Sequence, residues 1–257
     1  MARTVTRINV TPVKSTALHH PEQIRLESYG PVDNRDFYFV DEDGHLFAGS
    51  KLGQLVQIHA DHDPERKVLS MRFPDGILVE GSAVADGEPL ETNFYGRPVQ
   101  AREVEGPWSE ALSRYAGRDL RLLRVERTGD GNDIDPVTLV STASVEELAR
   151  QGEAGGPLDP ARFRMTLEID GCTPHEEDAW AGRQVRVGEA VIRVGEPVPR
   201  CVVTTQDPDT GLRDFPTLKV IKRYRGVSPD QELIFGVYAQ VVQPGLVRVG
   251  DLVEPGK

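Results

Sequence analysis

Turn-forming residues interrupt this chain so often that long helices have no room in it. The sequence has 25 glycines and 19 prolines in 257 residues. Between them lie short runs of β-branched and aromatic residues, which are typical of short strands joined by tight turns. No run approaches the roughly 18 apolar residues that a membrane span requires. The sequence therefore predicts a strand-rich protein without a membrane-spanning segment.

Three short segments have helical signals instead. Apolar residues recur at helical spacing over residues 108–116, and the amphipathic pattern of residues 218–225 indicates a second short helix. A capping box at residues 144–147 predicts that another helix begins there. Residues 202–205 are predicted to form a strand because they are β-branched. Together these signals predict a β-rich α+β protein, with one or two barrels and a few short helices.

The charge of the chain limits its partners. Lys and Arg number 30 against 41 Asp and Glu, which gives a formal net charge of -11. Nucleic-acid binding depends on neutralising phosphates with basic residues, so no nucleic-acid partner is expected. A single anionic ligand could bind only where a few basic residues converge. The N-terminal residues lack the apolar core of a signal peptide, and we expect a cytoplasmic protein.

Cysteine chemistry narrows the search to one residue. The two cysteines, Cys172 and Cys201, are too few for a disulfide scaffold and lack the spacing of a zinc site. Cys201 follows Arg200, whose charge favours the thiolate form that binds metals or attacks electrophiles. The residues alone support a reactive Cys201 and a buried structural Cys201 equally well.

Several blocks of sequence, taken in order along nearly the whole chain, carry a resemblance. The blocks include Pro12-Val13-Lys14-Ser15, Arg35-Asp36-Phe37-Tyr38, Arg162-Phe163-Arg164, Arg200-Cys201-Val202-Val203-Thr204-Thr205 and Asp207-Pro208-Asp209-Thr210-Gly211. The chain resembles the MOSC-domain molybdenum enzymes, typified by the mitochondrial amidoxime reducing component and its bacterial relatives. The resemblance implies an N-terminal β-barrel-like domain over residues 1–120, packed on a MOSC β-barrel domain over residues 121–257.

The resemblance also implies a molybdenum cofactor, Mo-molybdopterin, in the cleft between the two domains. Cys201 would be the protein's thiolate ligand to the metal. The residues that match the family's cofactor-binding positions are Lys14, Ser15, Arg35, Arg164, Arg200, Cys201 and Tyr238. Asp133 would lie nearby as a catalytic proton or positioning group, and an ordinary exposed turn acid is an equal interpretation of that residue.

The implied activity is the reduction of N-oxygenated compounds such as amidoximes, hydroxylamines and N-oxides, by oxygen-atom transfer to molybdenum. The sequence has no iron–sulfur, haem or flavin motif, so we expect a separate reductase to donate the electrons. Asp135, Thr166 and Pro199 depart from the family's pattern and motivate an alternative. In that alternative the protein is a sulfur-transfer or cofactor-carrier protein that uses Cys201. A third hypothesis is a non-enzymatic β-barrel binding module with Cys201 in its core.

Overall fold

The computed structural model of the protein describes residues 2–256 and is built mainly from β-strands. The strands are β1 (Thr4–Ile8), β2 (Gln23–Glu27), β3 (Gly30–Pro31), β4 (Phe37–Val40), β5 (Leu46–Phe47), β6 (His59–Asp63), β7 (Val68–Arg72), β8 (Leu78–Ser82), β9 (Leu90–Phe94), β10 (Arg97–Glu103), β11 (Arg121–Val125), β12 (Val137–Ser141), β13 (Leu167–Asp170), β14 (Gln184–Val187), β15 (Ala190–Pro199), β16 (Ile234–Gln243), β17 (Gly245–Arg248) and β18 (Val253–Pro255). The α-helices are α1 (Trp108–Ala116), α2 (Thr142–Gln151) and α3 (Thr217–Arg225). Four short 3₁₀ helices cover Gly53–Gln57, Pro160–Phe163, Glu176–Trp180 and Val202–Thr205.

A seven-stranded sheet forms a nearly closed barrel. Its strand order is β1-β13-β12-β16-β15-β14-β18. The two outer strands meet at a bridge between Thr4 and Leu252. There the Val253 amide donates to the Arg3 carbonyl at 2.9 Å. Alternate side chains along these strands point inward and fill the barrel with valine, leucine and isoleucine.

The other large sheet has five strands in the order β5-β4-β11-β10-β9. The small sheet β6-β7-β8 and helix α1 complete this half of the molecule. Its core is a cluster of aromatic and aliphatic side chains that includes the fully buried Trp108, Phe37 and Phe39. The fold class expected from the resemblance is therefore confirmed: a β-rich protein with barrel-like sheets and a few short helices.

The two halves exchange strands across the sequence. β1 pairs with β13 and β2 pairs with β17, although both begin in the N-terminal half. In the opposite sense, β11 pairs with β4 and β10. No single point in the chain therefore separates the strands of one half from those of the other. The division after residue 120 stays a prediction.

Helix α1 spans the predicted residues 108–116, and α3 begins one residue before its predicted start. Helix α2 begins earlier than the capping box indicated, because Ser141, not Ser144, is the N-cap residue and accepts from the Ser144 amide. Within residues 2–256, no helix combines the length and hydrophobicity needed to cross a membrane.

The strand predicted at residues 202–205 is wrong. This segment is a 3₁₀ helix, although its residues are β-branched. The Thr204 hydroxyl donates to the Cys201 carbonyl at 3.0 Å, and the Thr205 hydroxyl donates to the Val202 carbonyl at 2.7 Å. Such local hydrogen bonds to the backbone compete with strand pairing and hold the turn.

Candidate active site

Cys201 lies at the point where the long strand β15 ends and the chain turns back. It is the residue that precedes the 3₁₀ helix Val202–Thr205, and it is exposed. The third sequence hypothesis, a Cys201 buried in a barrel core, is therefore wrong. The second cysteine differs: Cys172 is half-buried, and burial together with the neighbouring Glu176 and Glu177 raises the pKa of its thiol to about 12. Of the two cysteines, Cys201 has the more accessible sulfur.

The loop after β1 brings Lys14 and Ser15 close to the turn that follows Cys201, and the region among these residues is called the cleft below. The loop backbone runs beside the start of β4, where the Lys14 amide donates to the Phe37 carbonyl at 2.8 Å. The Ser15 hydroxyl accepts from the Gly49 amide at 3.1 Å. A Cβ atom on Gly49 would lie 3.7 Å from the Val203 side chain and 4.0 Å from that of Ser15. The Gly49 loop thus connects the Ser15 loop with the turn that follows Cys201.

Four cations surround a single carboxylate in this cleft. The Lys14 ammonium donates to Asp133 Oδ1 at 2.8 Å and to the Gly131 carbonyl at 3.2 Å. Arg35 lies 3.7 Å from Asp133 Oδ2, and a second nitrogen of its guanidinium donates to the Arg164 carbonyl at 3.0 Å. Arg200 also acts on Asp133 through its charge. The cluster of Lys14, Arg35, Arg164 and Arg200 is called the cationic cluster below.

Burial and the neighbouring charges both shift the pKa values of these groups. Burial lowers the pKa of Lys14 to about 8, against the opposing effect of Asp133. Burial and the charge of Arg35 lower the pKa of Arg164 to about 9. Burial acts to raise the pKa of Asp133, but Lys14 and Arg35 outweigh it and hold the value at about 2. Asp133 is therefore a carboxylate at neutral pH, and one negative charge faces four positive ones.

The Arg200 guanidinium is held by the protein itself. It donates to the Phe235 carbonyl at 2.7 Å through Nε and to the Phe163 carbonyl at 3.3 Å, and it lies over the Phe163 ring. Its contribution to the cleft is therefore its charge and the placement of Cys201. Tyr238 is buried on β16, and burial together with the charge of Asp133 raises its pKa to about 12. Within residues 2–256, the Tyr238 hydroxyl makes no side-chain hydrogen bond, and it remains a neutral donor.

Backbone conformation around the cleft is unusual. Ser15, Arg35 and Arg164 have φ angles of 76°, 60° and 52°. Left-handed backbone is unfavourable for residues with a Cβ atom and clusters at functional sites. Three of the residues selected from sequence thus share a strained geometry in addition to their location.

The turn at residues 207–211 packs the segment that follows Cys201 against the N-terminal half. Gly211 has a φ of 71°, and a Cβ atom there would lie 2.2 Å from the Gly53 backbone. The Gln206 side-chain amide donates to the Gly49 carbonyl at 3.0 Å. Two glycines are therefore required where the backbones cross, and the crossing fixes the thiol relative to Ser15.

The geometry can be compared with known protein families. The family model for the MOSC domain matches residues 126–254, which is half of the chain. The chain belongs to the MOSC family. The model for the MOSC N-terminal beta barrel domain matches residues 2–115.

Curated relatives of this MOSC protein are amidoxime-reducing components. The mitochondrial amidoxime-reducing component 1 of Mus musculus is 26% identical over 249 residues, which cover 87% of this chain and 72% of the relative. The mitochondrial amidoxime reducing component 2 of Bos taurus is 26% identical over 248 residues, covering 86% and 73%. A crystal structure of the YuaD protein from Bacillus subtilis aligns with a TM-score of 0.45 at 12% identity, covering 99% of this chain and 96% of that chain.

Two of the three departures from the family's pattern have structural explanations in this MOSC protein. Asp135 accepts from the Gln240 side-chain amide at 3.0 Å, and its charge acts on Tyr238. Thr166 is buried, and its amide donates to the Thr138 hydroxyl at 2.8 Å, between β12 and β13. Pro199 lies at the end of β15, and nothing in the structure explains its choice. None of the three removes a cation from the cleft.

Sequence reasoning missed three residues of the cleft. Gly131 lies beneath Lys14 and has no room for a side chain, because a Cβ atom would be 1.8 Å from the Arg35 carbonyl. Tyr95 lies near Asp133 and Cys201, and Ser50 lies beside the Tyr95 hydroxyl. The sequence did contain a signal for Tyr95. Two-residue hairpin turns favour Asn-Gly, so a tyrosine before Gly96 is unusual and points to a role outside the turn.

Proposed function

We propose that this MOSC protein is a molybdenum-cofactor-dependent reductase of N-oxygenated compounds such as amidoximes, hydroxylamines and N-oxides. The observation that carries the proposal is the exposed Cys201 thiol beside a cationic cluster with too few carboxylates to neutralise it. The names of the amidoxime-reducing relatives support the same activity.

The residues of the cleft fit a ligand that combines an anionic group with a thiolate-binding metal. Buried cations are unfavourable without partners, and burial, with the added charge of Arg35, lowers the pKa values of Lys14 and Arg164. A phosphate ester would supply the missing negative charge, and guanidinium groups suit phosphate oxygens. The proposed binding residues are those selected from sequence: Lys14, Ser15, Arg35, Arg164, Arg200, Cys201 and Tyr238.

When bound, the molybdenum cofactor supplies a centre that accepts oxygen from an N–O bond and exchanges two electrons. An amidoxime with two electrons and two protons yields an amidine and water. Lys14, with a pKa of about 8, carries a proton at neutral pH that it can release within the cleft. Asp133, with a pKa of about 2, is a carboxylate and positions the Lys14 ammonium through their 2.8 Å hydrogen bond. We therefore assign Asp133 a positioning role, and a separate reductase donates the electrons.

Removal of the Cys201 sulfur tests the proposal. The protein is purified from a host that makes the cofactor, and its molybdenum content and benzamidoxime reduction are measured with a chemical electron donor. We expect about one molybdenum per wild-type chain, and in Cys201→Ala a turnover below about 1% of wild type, because a metal ligand is lost.

Cys172→Ala is the matched control. Its thiol is half-buried and outside the cleft, so the variant should keep both molybdenum and turnover. Molybdenum without turnover would favour the carrier alternative. Wild-type protein without molybdenum would overturn the proposed reductase, and mass spectrometry of Cys201 would then show whether it carries a persulfide.

A further inference from the structure

Tyr95 occupies a backbone position that suits tyrosine poorly. Phe94 pairs with Arg97 at the end of the β9–β10 hairpin, so Tyr95 and Gly96 alone form the turn. Their φ angles are 56° and 89°. Two-residue turns with two positive φ angles favour asparagine followed by glycine, because a large side chain is strained there. The turn therefore gives no local reason for the tyrosine.

The Tyr95 side chain also contributes little to the core. It is 60% exposed, and its aromatic contact is an edge-on one with Phe94 at 5.7 Å between ring centroids. Although the ring is exposed, its hydroxyl lies near Asp133, Cys201 and Ser50, and the local desolvation of the hydroxyl and the charges of Asp133 and Cys201 raise its pKa. The ring therefore stands at the mouth of the cleft and is neutral.

The hairpin tip is fixed relative to Asp133. Arg97 donates to the Asp130 and Asn132 carbonyls at 2.7 Å and 2.6 Å, immediately before Asp133. The Arg97 guanidinium lies over the Phe94 ring at 4.8 Å, and the Lys14 ammonium lies over that ring at 4.9 Å. These contacts hold the hairpin tip, and with it the ring of Tyr95, beside the cationic cluster.

A second apolar side chain follows Asp133 directly. Ile134 is 70% exposed, and within residues 2–256 it and Tyr95 are the two most exposed large hydrophobic residues. They come from different loops, and both lie next to Asp133. Exposed apolar groups that border a polar cleft are typical of ligand contacts.

We propose that Tyr95 is a specificity-determining residue whose ring stacks on a flat aromatic group attached to the N-oxygenated centre of the substrate. The proposal rests on the reductase function above. It predicts that the protein prefers N-oxygenated substrates that carry an aryl group to those that carry a small alkyl group. Stacking of the Tyr95 ring on the substrate contributes binding energy in addition to burial. This explains why a strained tyrosine occupies the turn.

Two amidoximes that differ only in the attached group test this role. Benzamidoxime carries a phenyl ring and acetamidoxime carries a methyl group. In Tyr95→Asn we expect the ratio of kcat/KM for benzamidoxime to that for acetamidoxime to fall about tenfold, mainly through KM. Tyr95→Phe keeps the ring and should keep the ratio within twofold. Leu78→Asn, an exposed apolar residue on β8, is the control for general surface effects.

Thermal unfolding and product binding provide readouts that do not depend on turnover. Asparagine suits the left-handed turn, so Tyr95→Asn should raise the melting temperature while its dissociation constant for benzamidine rises about tenfold. A simple loss of structure would lower the melting temperature instead.

Three results would overturn the proposal. An unchanged substrate ratio in Tyr95→Asn would show that the ring does not select substrates. A tenfold fall in Tyr95→Phe would assign the effect to the hydroxyl. Wild-type protein that reduces neither amidoxime would overturn the reductase function and this inference together, whereas the first two results leave the reductase function intact.

Discussion

Three arginines outside the cleft, Arg7, Arg162 and Arg225, are balanced by carboxylates, and the arginines of the cleft are not. Arg7 contacts both Asp159 and Glu168, Arg162 donates two hydrogen bonds to Asp214, and Arg225 pairs with Asp178. Among the carboxylates of residues 2–256, Asp133 is the one that faces the cationic cluster. The pKa values differ accordingly: despite burial, Asp159 and Glu168 raise the pKa of Arg7, whereas burial and Arg35 lower that of Arg164.

The difference separates ion pairs that hold the fold from charges held for a ligand. A paired cation contributes to stability in the free protein, and its removal leaves a carboxylate unpaired. An unbalanced cation opposes folding and becomes favourable only when an anion binds. Substitutions in the two regions should therefore have opposite effects on stability and on anion binding.

The largest expected effect concerns Arg164. In Arg164→Asn we expect the affinity for sulfate, a stand-in for a phosphate ester, to fall about thirtyfold, since one charge-assisted hydrogen bond is worth about 2 kcal/mol. The melting temperature should fall only slightly: asparagine tolerates the φ of 52° at this position, and the loss is limited to the hydrogen bond that the Arg164 guanidinium donates to the Thr16 carbonyl at 2.7 Å. Calorimetric titration and thermal unfolding measure the two effects, and equal sulfate affinity in the variant would contradict the comparison.

A smaller effect is expected from pH, through Lys14. Its pKa of about 8 lies within reach of titration, and the charge of sulfate does not change between pH 7 and pH 9. Sulfate affinity should fall about tenfold over that range as the ammonium loses its proton. Lys14→Met should bind sulfate weakly with a flatter profile, and an equally steep profile in the variant would assign the titration to another group.

The same pKa shift affects stability in the opposite direction. The pKa of Lys14 is about 8 in the folded protein against 10.5 as the unperturbed value. Between these values the unfolded state holds more protons, so sulfate-free protein should gain stability as the pH rises. Lys14→Met should lack that gain, so the stability difference between wild type and the variant should rise over the same pH range.

The smallest expected effect lies in the balanced region. Arg7→Gln leaves Glu168, whose side chain is 3% exposed, without its cation. We expect a loss of about 1 kcal/mol in the free energy of unfolding, since the pair is only partly screened by water. Sulfate affinity should stay at the wild-type value. Arg25→Gln, in an exposed pair with Glu27, is the control and should change stability by less than about 0.5 kcal/mol.

The sequence was informative where it resembles the family. The cations, Cys201 and Asp133 were selected through that resemblance, and in the structure their charges act on one another. The helix at residues 108–116 was predicted because its apolar spacing and its terminal glycine agree.

Features that depend on contacts between distant segments could not be predicted. The close crossing of Gly53 and Gly211 joins residues far apart in the chain. The turn after Cys201 depends on threonine hydroxyls that donate to nearby carbonyls, which strand propensity does not describe. The Asp135 carboxylate is held by a hydrogen bond from the side-chain amide of Gln240 on β16, a residue distant in the chain.

The exchange of strands has a practical consequence for any attempt to divide the molecule. A fragment that starts at residue 121 would lack β1, the strand that bridges the outer edges of the seven-stranded sheet. Its unsatisfied β13 and β18 edges would recruit strands from other chains, and aggregation would follow. An expression fragment of the C-terminal barrel must therefore carry residues 3–27 as well, supplied as a tethered or separately added peptide.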